Sequence, residues 1–266
     1  MKPKPFGTGL QWLVPSDTVR RYGLAILAHV AVIAIWYLFI VYRHVPSFIM
    51  PTPAATIATL GGANYGWINN TLITASEIFG GYFLAVFVGV TFAIVFSWSS
   101  MAEEAVMPLL VSLNMIPKVA LGPLFIVWFS YGIVPNMIIA FSISFFPILL
   151  NTARGLHEVE PELLELVRSL RSSKWQTFVK IQLPSALPYI FSGMKVGAIL
   201  AVAGAIVGEF LGSSRGLGYL MLQVQVTLDT AAMFMAVILI TLLGVILYGM
   251  VLGLEKLIIV RDARVK

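Results

Sequence analysis

The sequence predicts an all-α, polytopic membrane protein with about six transmembrane helices. Hydrophobic residues make up 59% of its 266 residues and charged residues 11%, and the mean hydropathy is +0.93. Soluble domains carry roughly 25% charged residues, so this composition excludes an ordinary soluble fold. The apolar residues fall into runs of about 20, the length of helix that crosses a bilayer. The longest polar interruption is a charged segment at residues 152–184.

The order of the apolar runs gives the expected domain organisation. Residues 1–21 are polar and basic, which predicts a cytoplasmic N-terminal segment. The first run is long and aromatic, so it is interpreted as a retained helix rather than a cleaved signal peptide. Residues 22–266 are expected to form one transmembrane domain with a cytoplasmic C-terminus, a short outer helix at 54–60 and an outer segment at 211–230. The predicted spans are 22–42, 73–96, 105–128, 134–150, 187–207 and 233–254.

The third predicted span is punctuated by Pro108, Pro117 and Pro123. Prolines are tolerated in membrane helices where neighbouring helices or cavity water satisfy the freed carbonyl groups. Lys118 lies mid-span, and a charge there is costly and usually faces the bundle interior or a wet cavity. Lys118 is therefore a candidate substrate-pathway residue, and Asn114, four residues earlier, could share that face. A lysine that snorkels to an interface or pairs structurally is the alternative.

Phe145 and Glu209 complete the candidate substrate pathway. Phe145 belongs to an aromatic cluster of the fourth span, where packing is the commoner role of such side chains. Glu209 ends the fifth span and could pair with Lys118 or Arg215, gate the path, or lie among the outer headgroups. The headgroup position is the interpretation that the sequence favours slightly.

The charged segment has a recognisable local design. Pro161, with acids on both sides, suits the first turn of a helix. Ser173 followed by Gln176 fits a capping box, so a second helix is expected to begin there. Pro184 is expected to interrupt the continuation of that helix. The pattern predicts two short amphipathic helices joined by a tight bend, and an ordinary loop lying on the membrane surface is the alternative.

The second half of this segment resembles the EAA loop of permease subunits of ABC importers. That motif reads Glu-Ala-Ala, three residues, Gly, nine residues, Ile, one residue, Leu-Pro, and the spacing from Glu165 to Pro184 agrees with it. Larger apolar residues replace both alanines, and Arg171 stands at the glycine. A glycine bend often uses a left-handed backbone, which arginine adopts at a steric cost. The resemblance implies coupling to an ATPase through Gly155, Glu165, Leu170, Arg171, Ile181, Leu183 and Pro184.

Other stretches resemble the nitrate/sulfonate/taurine/bicarbonate branch of the binding-protein-dependent permeases: 114–132, 145–156, 183–197 and 208–220. The resemblance implies the type I importer permease (MetI-like) fold in a bacterial inner membrane. It also implies a pathway for a small solute, with an anion such as sulfonate, taurine or nitrate as the first expectation. A thiamine or pyrimidine precursor, riboflavin or an aromatic acid is the alternative within the class. Outside the class, the alternatives are an ion-coupled secondary transporter and a noncatalytic scaffold in a membrane complex.

The implied partners are a second permease copy forming a homodimer, two ATPase subunits, a periplasmic or tethered binding protein and membrane lipid, without nucleic acid. The sequence has no GxxxxGK[ST] loop and no HExxH motif, and it contains no cysteine. Its three histidines show no metal-ligand spacing. The chain is therefore not expected to be an enzyme, to bind a metal or to hold a cofactor, and ATP and Mg are expected to bind the partner ATPase.

Overall fold

The computed structural model describes residues 17–259, and the regular elements in this range are helices. The predicted N-terminal segment up to residue 16 and the bases at 261, 264 and 266 lie outside the described residues. The α-helices are α1 Asp17–Arg43, α2 Pro53–Ala58, α3 Trp67–Trp98, α4 Ser100–Met115, α5 Lys118–Phe129, α6 Ile133–His157, α7 Pro161–Ser169, α8 Lys174–Thr177, α9 Leu183–Gly212, α10 Leu217–Val226 and α11 Thr230–Ile258.

Five helices in the described range are long and apolar enough to cross a membrane, namely α1, α3, α6, α9 and α11. The helices α4 and α5 add a sixth span if the bent pair counts as one. This confirms the all-α, polytopic prediction. The short helix predicted at 54–60 is also present, as α2 followed by a 3₁₀ turn at Thr59–Gly61.

The centre of the bundle is α6, which lies between α3 and α9. Small residues let these three backbones approach closely. A Cβ atom added to Gly81 of α3 would lie 2.6 Å from the Cβ of Ala140, and one added to Gly204 of α9 would lie 2.7 Å from the Cα of the same residue. Ala140 is fully buried. The small residues of α9 therefore pack against another helix of the same chain.

The proline-punctuated third span predicted at 105–128 is broken into two helices. The helices α4 and α5 meet at a bend of 95°. Pro117 causes the break, because a proline disfavours helical geometry in the residue before it. Ile116 accordingly has extended backbone angles, φ −67° and ψ 125°. Pro123 lies within α5 without ending it.

Candidate functional site

The charged segment at residues 152–184 folds as the predicted pair of short helices. Helix α7 ends in a left-handed turn at Arg171, whose φ is 52°. The backbone N–H of Ser172 donates to the carbonyl of Val167 at 3.2 Å, which is the six-to-one bond of a Schellman turn. The tight bend is thus confirmed, and it places an arginine in the backbone region that glycine adopts without strain.

The predicted capping box begins α8. The Gln176 N–H donates to Ser173 Oγ at 3.2 Å, and the Ser173 N–H donates to Gln176 Oε1 at 2.9 Å. Two backbone donors at the start of the helix are satisfied reciprocally. The turn at Arg171 and this box together fix the angle between α7 and α8 from residues within one short stretch.

The prediction that Pro184 interrupts the second helix is wrong. Helix α8 continues through a π turn at Phe178–Gln182 into α9, where the Leu183 N–H donates to the Phe178 carbonyl, five residues back. A proline ring in an α-helix clashes with the carbonyl four residues earlier. The wider π turn just before Pro184 relieves that clash and keeps the chain helical. Because α8 and α9 form one continuous helix, a displacement of α8 is transmitted directly to α9.

Aromatic contacts fix α8 against the bundle. Trp98, the last residue of α3, lies 6.0 Å from the ring of Trp175 and 5.4 Å from the ring of Phe178, both edge to face. Phe178 is buried in a cluster that includes Leu149 of α6. This end of α3 is therefore tied to the charged segment.

Helix α7 presents an apolar stripe to its surroundings. Leu163, Leu166 and Leu170 are 38%, 57% and 71% exposed, and they follow helical spacing. Beside the stripe, a groove of about 530 Å³ separates α7 from the α8 side of the segment and reaches Ile181. Glu165 is exposed on α7. An apolar stripe with an adjacent carboxylate, projecting from a membrane bundle, can dock into a cleft on another protein.

The remaining coupling candidates lie closer to the bundle. A Cβ at Gly155 would lie 2.5 Å from the Cβ of Tyr189, so this glycine permits close packing of α6 on α9. Leu183 and Pro184 form the first turn of α9, with Leu183 partly buried and Pro184 exposed.

The structure separates two residues expected to share a face. Asn114 is exposed on the last turn of α4, whereas Lys118 is the first residue of α5, beyond the bend. The Nζ of Lys118 donates to the carbonyl of Leu113 at 2.8 Å. The two residues do not share a helical face, because the helix breaks between them at Pro117. Phe145, on α6, is partly buried and packs edge to face on Phe92 with ring centroids 6.1 Å apart.

Glu209 lies inside the protein, so the headgroup interpretation is wrong. Its side chain is 1% exposed. Thr74 Oγ1 donates to Glu209 Oε1 at 2.5 Å, and the N–H of Gly218 donates to Glu209 Oε2. Lys118 and Arg215 do not pair with it: Lys118 is hydrogen-bonded within the bent pair, and Arg215 is exposed on the connection to α10.

Glu209 belongs to a group of polar side chains, which we call the polar cluster: Asn70, Thr74 and Glu77 of α3, Asn136 of α6 and Glu209 of α9. Asn70 is partly buried, and the other four are buried. Asn136 Nδ2 donates to Glu77 Oε1 at 2.8 Å. The start of α10 is held by the same cluster, because the Gly216 N–H donates to Asn70 Oδ1 at 2.9 Å and the Leu217 N–H to Thr74 Oγ1 at 2.8 Å. The polar cluster lies near the opposite end of α3 from Trp98.

Comparison with known proteins decides the family. Residues 81–260 match the model of the family described as binding-protein-dependent transport system inner membrane component. The chain belongs to this permease family. It is a permease subunit of an ABC importer, a class that works with ATPase and substrate-binding partners.

Two curated relatives of the permease carry different solute names. The formylaminopyrimidine transport permease of Halalkalibacterium halodurans is 30% identical over 213 residues, covering 80% of this chain and 85% of the relative. A protein of Bacillus subtilis assigned to aliphatic sulfonate transport is 30% identical over 244 residues, covering 89% and 87%. A chain of the MetNI methionine ABC transporter in inward-facing conformations has the same fold, with 19% identity, a TM-score of 0.53, and coverage of 69% of this chain and 94% of that chain.

Two features of the permease were not found from sequence. One is the polar cluster, whose available signal was Thr74 and Glu77, two polar residues on one face of an apolar helix. The other is an ion pair between Lys195 Nζ and Glu255 Oε1 at 2.9 Å, which joins α9 to α11. Nothing in the local sequence links Lys195 to Glu255.

Proposed function

We propose that two copies of this permease form the translocation pathway of an ABC importer in the bacterial inner membrane, with N- and C-termini in the cytoplasm. Each copy docks onto one ATPase subunit through residues 152–184. The observation that supports this proposal is the structure of that segment. An exposed apolar stripe on α7 joins, through a fixed turn, a helix that continues without a break into α9.

This construction suggests how ATPase motion enters the membrane. ATP and Mg bind the ATPase subunits, whose closure displaces α7 and α8. The displacement passes into α9 and, through the close contact at Gly204, into α6. Nucleotide can shift the permease between outward and inward states only if it binds one of them more tightly.

Specific residues are assigned to this coupling. Glu165 and Leu170 contact the ATPase from α7, and Arg171 sets the direction of α8. Ile181, Leu183 and Pro184 shape the junction with α9, and Gly155 lets α6 follow α9 closely.

We propose no enzymatic activity for the chain itself. The run from Gly212 to Gly216 has the spacing of a nucleophile elbow, but it joins two helices, whereas that elbow follows a strand. Among residues 17–259, no group of three or more His, Asp or Glu side chains could hold a metal ion.

For the solute we propose a small anion such as a sulfonate, taurine or nitrate. Helix α5 begins inside the broken span with Lys118 and without a side-chain cap. A half-helix N-terminus at membrane depth favours anionic groups, and the lysine adds to that field. Asn114 and Phe145 are proposed to line the same route, and the buried Glu209 is proposed to shape it from within the polar cluster. The equally similar relative named for formylaminopyrimidine keeps a flat ring as the second candidate.

The test begins with a mild-detergent pull-down of the permease from its native membrane, followed by mass spectrometry. The expected result is an ATPase subunit in equal amount and a binding protein. The ligand that co-purifies with the binding protein identifies the solute, and a neutral ring there would overturn the anion proposal. A permease that comes down without an ATPase would overturn the importer assembly and favour ion-coupled transport.

Reversing the charge of Glu165 tests the docking surface. Glu165→Lys is expected to uncouple ATP hydrolysis from uptake in reconstituted vesicles while leaving the melting temperature unchanged, because the side chain is exposed on α7. Glu160→Lys makes the same charge change on an exposed residue before the helix and serves as the control. Unchanged uptake in Glu165→Lys would count against the docking model.

A further inference from the structure

The polar cluster brings two carboxyl groups into contact. Glu77 and Glu209 are 0% and 1% exposed. Thr74 and Glu77 are three residues apart on one face of α3, and Thr74 holds Glu209. Asn136 holds Glu77, and its side chain lies against the backbone of Gly208, next to Glu209. The two carboxyl groups therefore lie within hydrogen-bonding reach of each other.

The donors of the cluster leave one oxygen without a partner. Glu209 accepts from Thr74 with Oε1 and from the Gly218 N–H with Oε2. Glu77 accepts from Asn136 with Oε1, but its buried Oε2 has no donor. A buried polar atom without a partner costs about 1–3 kcal/mol, and more if it is charged.

Nor does a cation balance two negative charges here. Among the side chains that the structure describes, the ion pairs are Arg154–Glu158, His157–Glu103 and Lys195–Glu255, and none includes Glu77 or Glu209. Two carboxylates in contact in an apolar interior repel each other strongly, and such pairs bind a proton. A single proton also supplies the hydrogen bond that Glu77 Oε2 lacks.

We propose that Glu77 and Glu209 share one proton, with Glu77 as the carboxylic acid and Glu209 as the carboxylate. The Oε2 hydroxyl of Glu77 donates to Glu209, which also accepts from Thr74 and from the start of α10. The charge belongs on Glu209 because that side chain faces a helix N-terminus, which favours anions. This acid–carboxylate pair clamps α3 to α9 and α10, so that this end of the bundle moves as one body.

The experiment compares amide variants of the two residues in the full permease–ATPase complex. Glu77→Gln is expected to keep the melting temperature and uptake near wild type, because the amide N–H₂ donates to Glu209 as the acid did. Glu77→Ala is expected to have a lower melting temperature and lower uptake than the wild type. Glu209→Gln is expected to reduce uptake about ten-fold or more, the loss that follows when buried donors lose a charged acceptor.

Infrared spectroscopy detects the protonated carboxyl group directly. The wild-type protein is expected to show a carbonyl band of a protonated carboxylic acid at neutral pH, which disappears in Glu77→Gln. Glu104→Gln, which removes an exposed carboxyl group of α4, is expected to retain it. This comparison needs no knowledge of the solute and remains decisive if Glu209→Gln does not fold.

Two results would overturn the proposal. One is a wild-type spectrum that Glu77→Gln leaves unchanged. The other is a pair of findings: Glu77→Gln is as impaired as Glu209→Gln, and the melting temperature of the wild-type protein rises with sodium or potassium. Together they would place a monovalent cation between two carboxylates.

Discussion

The charged segment at residues 152–184 and the polar cluster are both ordered by hydrogen bonds, but the bonded residues lie at different distances along the chain. In the capping box the bonded residues are three apart. In the polar cluster most bonded residues are between 59 and 146 apart. The segment is therefore specified by its own residues, whereas the cluster exists only once α3, α6, α9 and α10 have assembled.

This difference suggests different mechanical roles. A segment that carries its own turn and cap can keep its internal structure while it moves, so that its displacement passes into α9. A buried cluster shared by four helices cannot lose one bond without leaving another polar group unsatisfied. Changes that break a hydrogen bond of the cluster should lower global stability, and changes in the segment should alter docking alone.

The largest loss of stability is expected from Gly208→Ala, which disrupts the polar cluster. The new Cβ would lie 2.7 Å from Asn136 Oδ1 and 3.0 Å from its Cα, so α6 and α9 must separate. Overpacking of this kind costs about 1–3 kcal/mol, and displaced hydrogen bonds add to it. The measurement is the melting temperature and folded yield in detergent.

Gly253→Ala is the matched control, because a Cβ at Gly253 meets nothing within 4 Å. In α11 this change should be neutral or slightly stabilising, since alanine favours a helix more than glycine does. Equal stability of the two variants would mean that the cluster is looser than its geometry indicates.

A smaller effect is expected at Arg171, in the left-handed turn of the segment. Arg171→Gly and Arg171→Val both remove the charge, so their difference isolates the backbone. Valine is strained at φ 52°, and glycine is not. The valine variant should dock onto the ATPase more weakly than the glycine variant by about 1–2 kcal/mol. ATPase affinity measures this, with the melting temperature expected to be the same for both.

Equal ATPase affinities of the two Arg171 variants would show that the turn relaxes when the segment docks. The left-handed turn would then not set the direction of α8 in the complex.

The sequence predicted the charged segment well because its signals are local. Ser173 and Gln176 lie within one helical turn, and the glycine position of the motif marks the backbone of Arg171. It predicted Pro184 wrongly for a related reason. A proline ends an α-helix by local rules, but the π turn at Phe178–Gln182 is stabilised by Phe178 packing against Trp98 and Leu149, far away in the chain.

The polar cluster could not be predicted because its partners meet only in three dimensions. Glu209 at the end of an apolar run is compatible with headgroups or with the interior, and only α3 and α10 decide between them. The bend between α4 and α5 was signalled by Pro117, but prolines also occur inside intact helices, as Pro123 does in α5. The sequence therefore indicated a disturbed span without indicating whether it breaks.

The smallest effect is expected from Ser173→Ala, which removes half of the capping box. Loss of an N-cap serine costs about 1 kcal/mol, and here it should weaken ATPase binding about five-fold. Ser169→Ala makes the same chemical change on α7, where the hydroxyl only donates to the carbonyl of Leu166, and should leave binding unchanged. Because the box is exposed and local, neither variant should lower the melting temperature. A drop as large as that of Gly208→Ala would show that the segment unfolds together with the bundle and is not specified by its own residues alone.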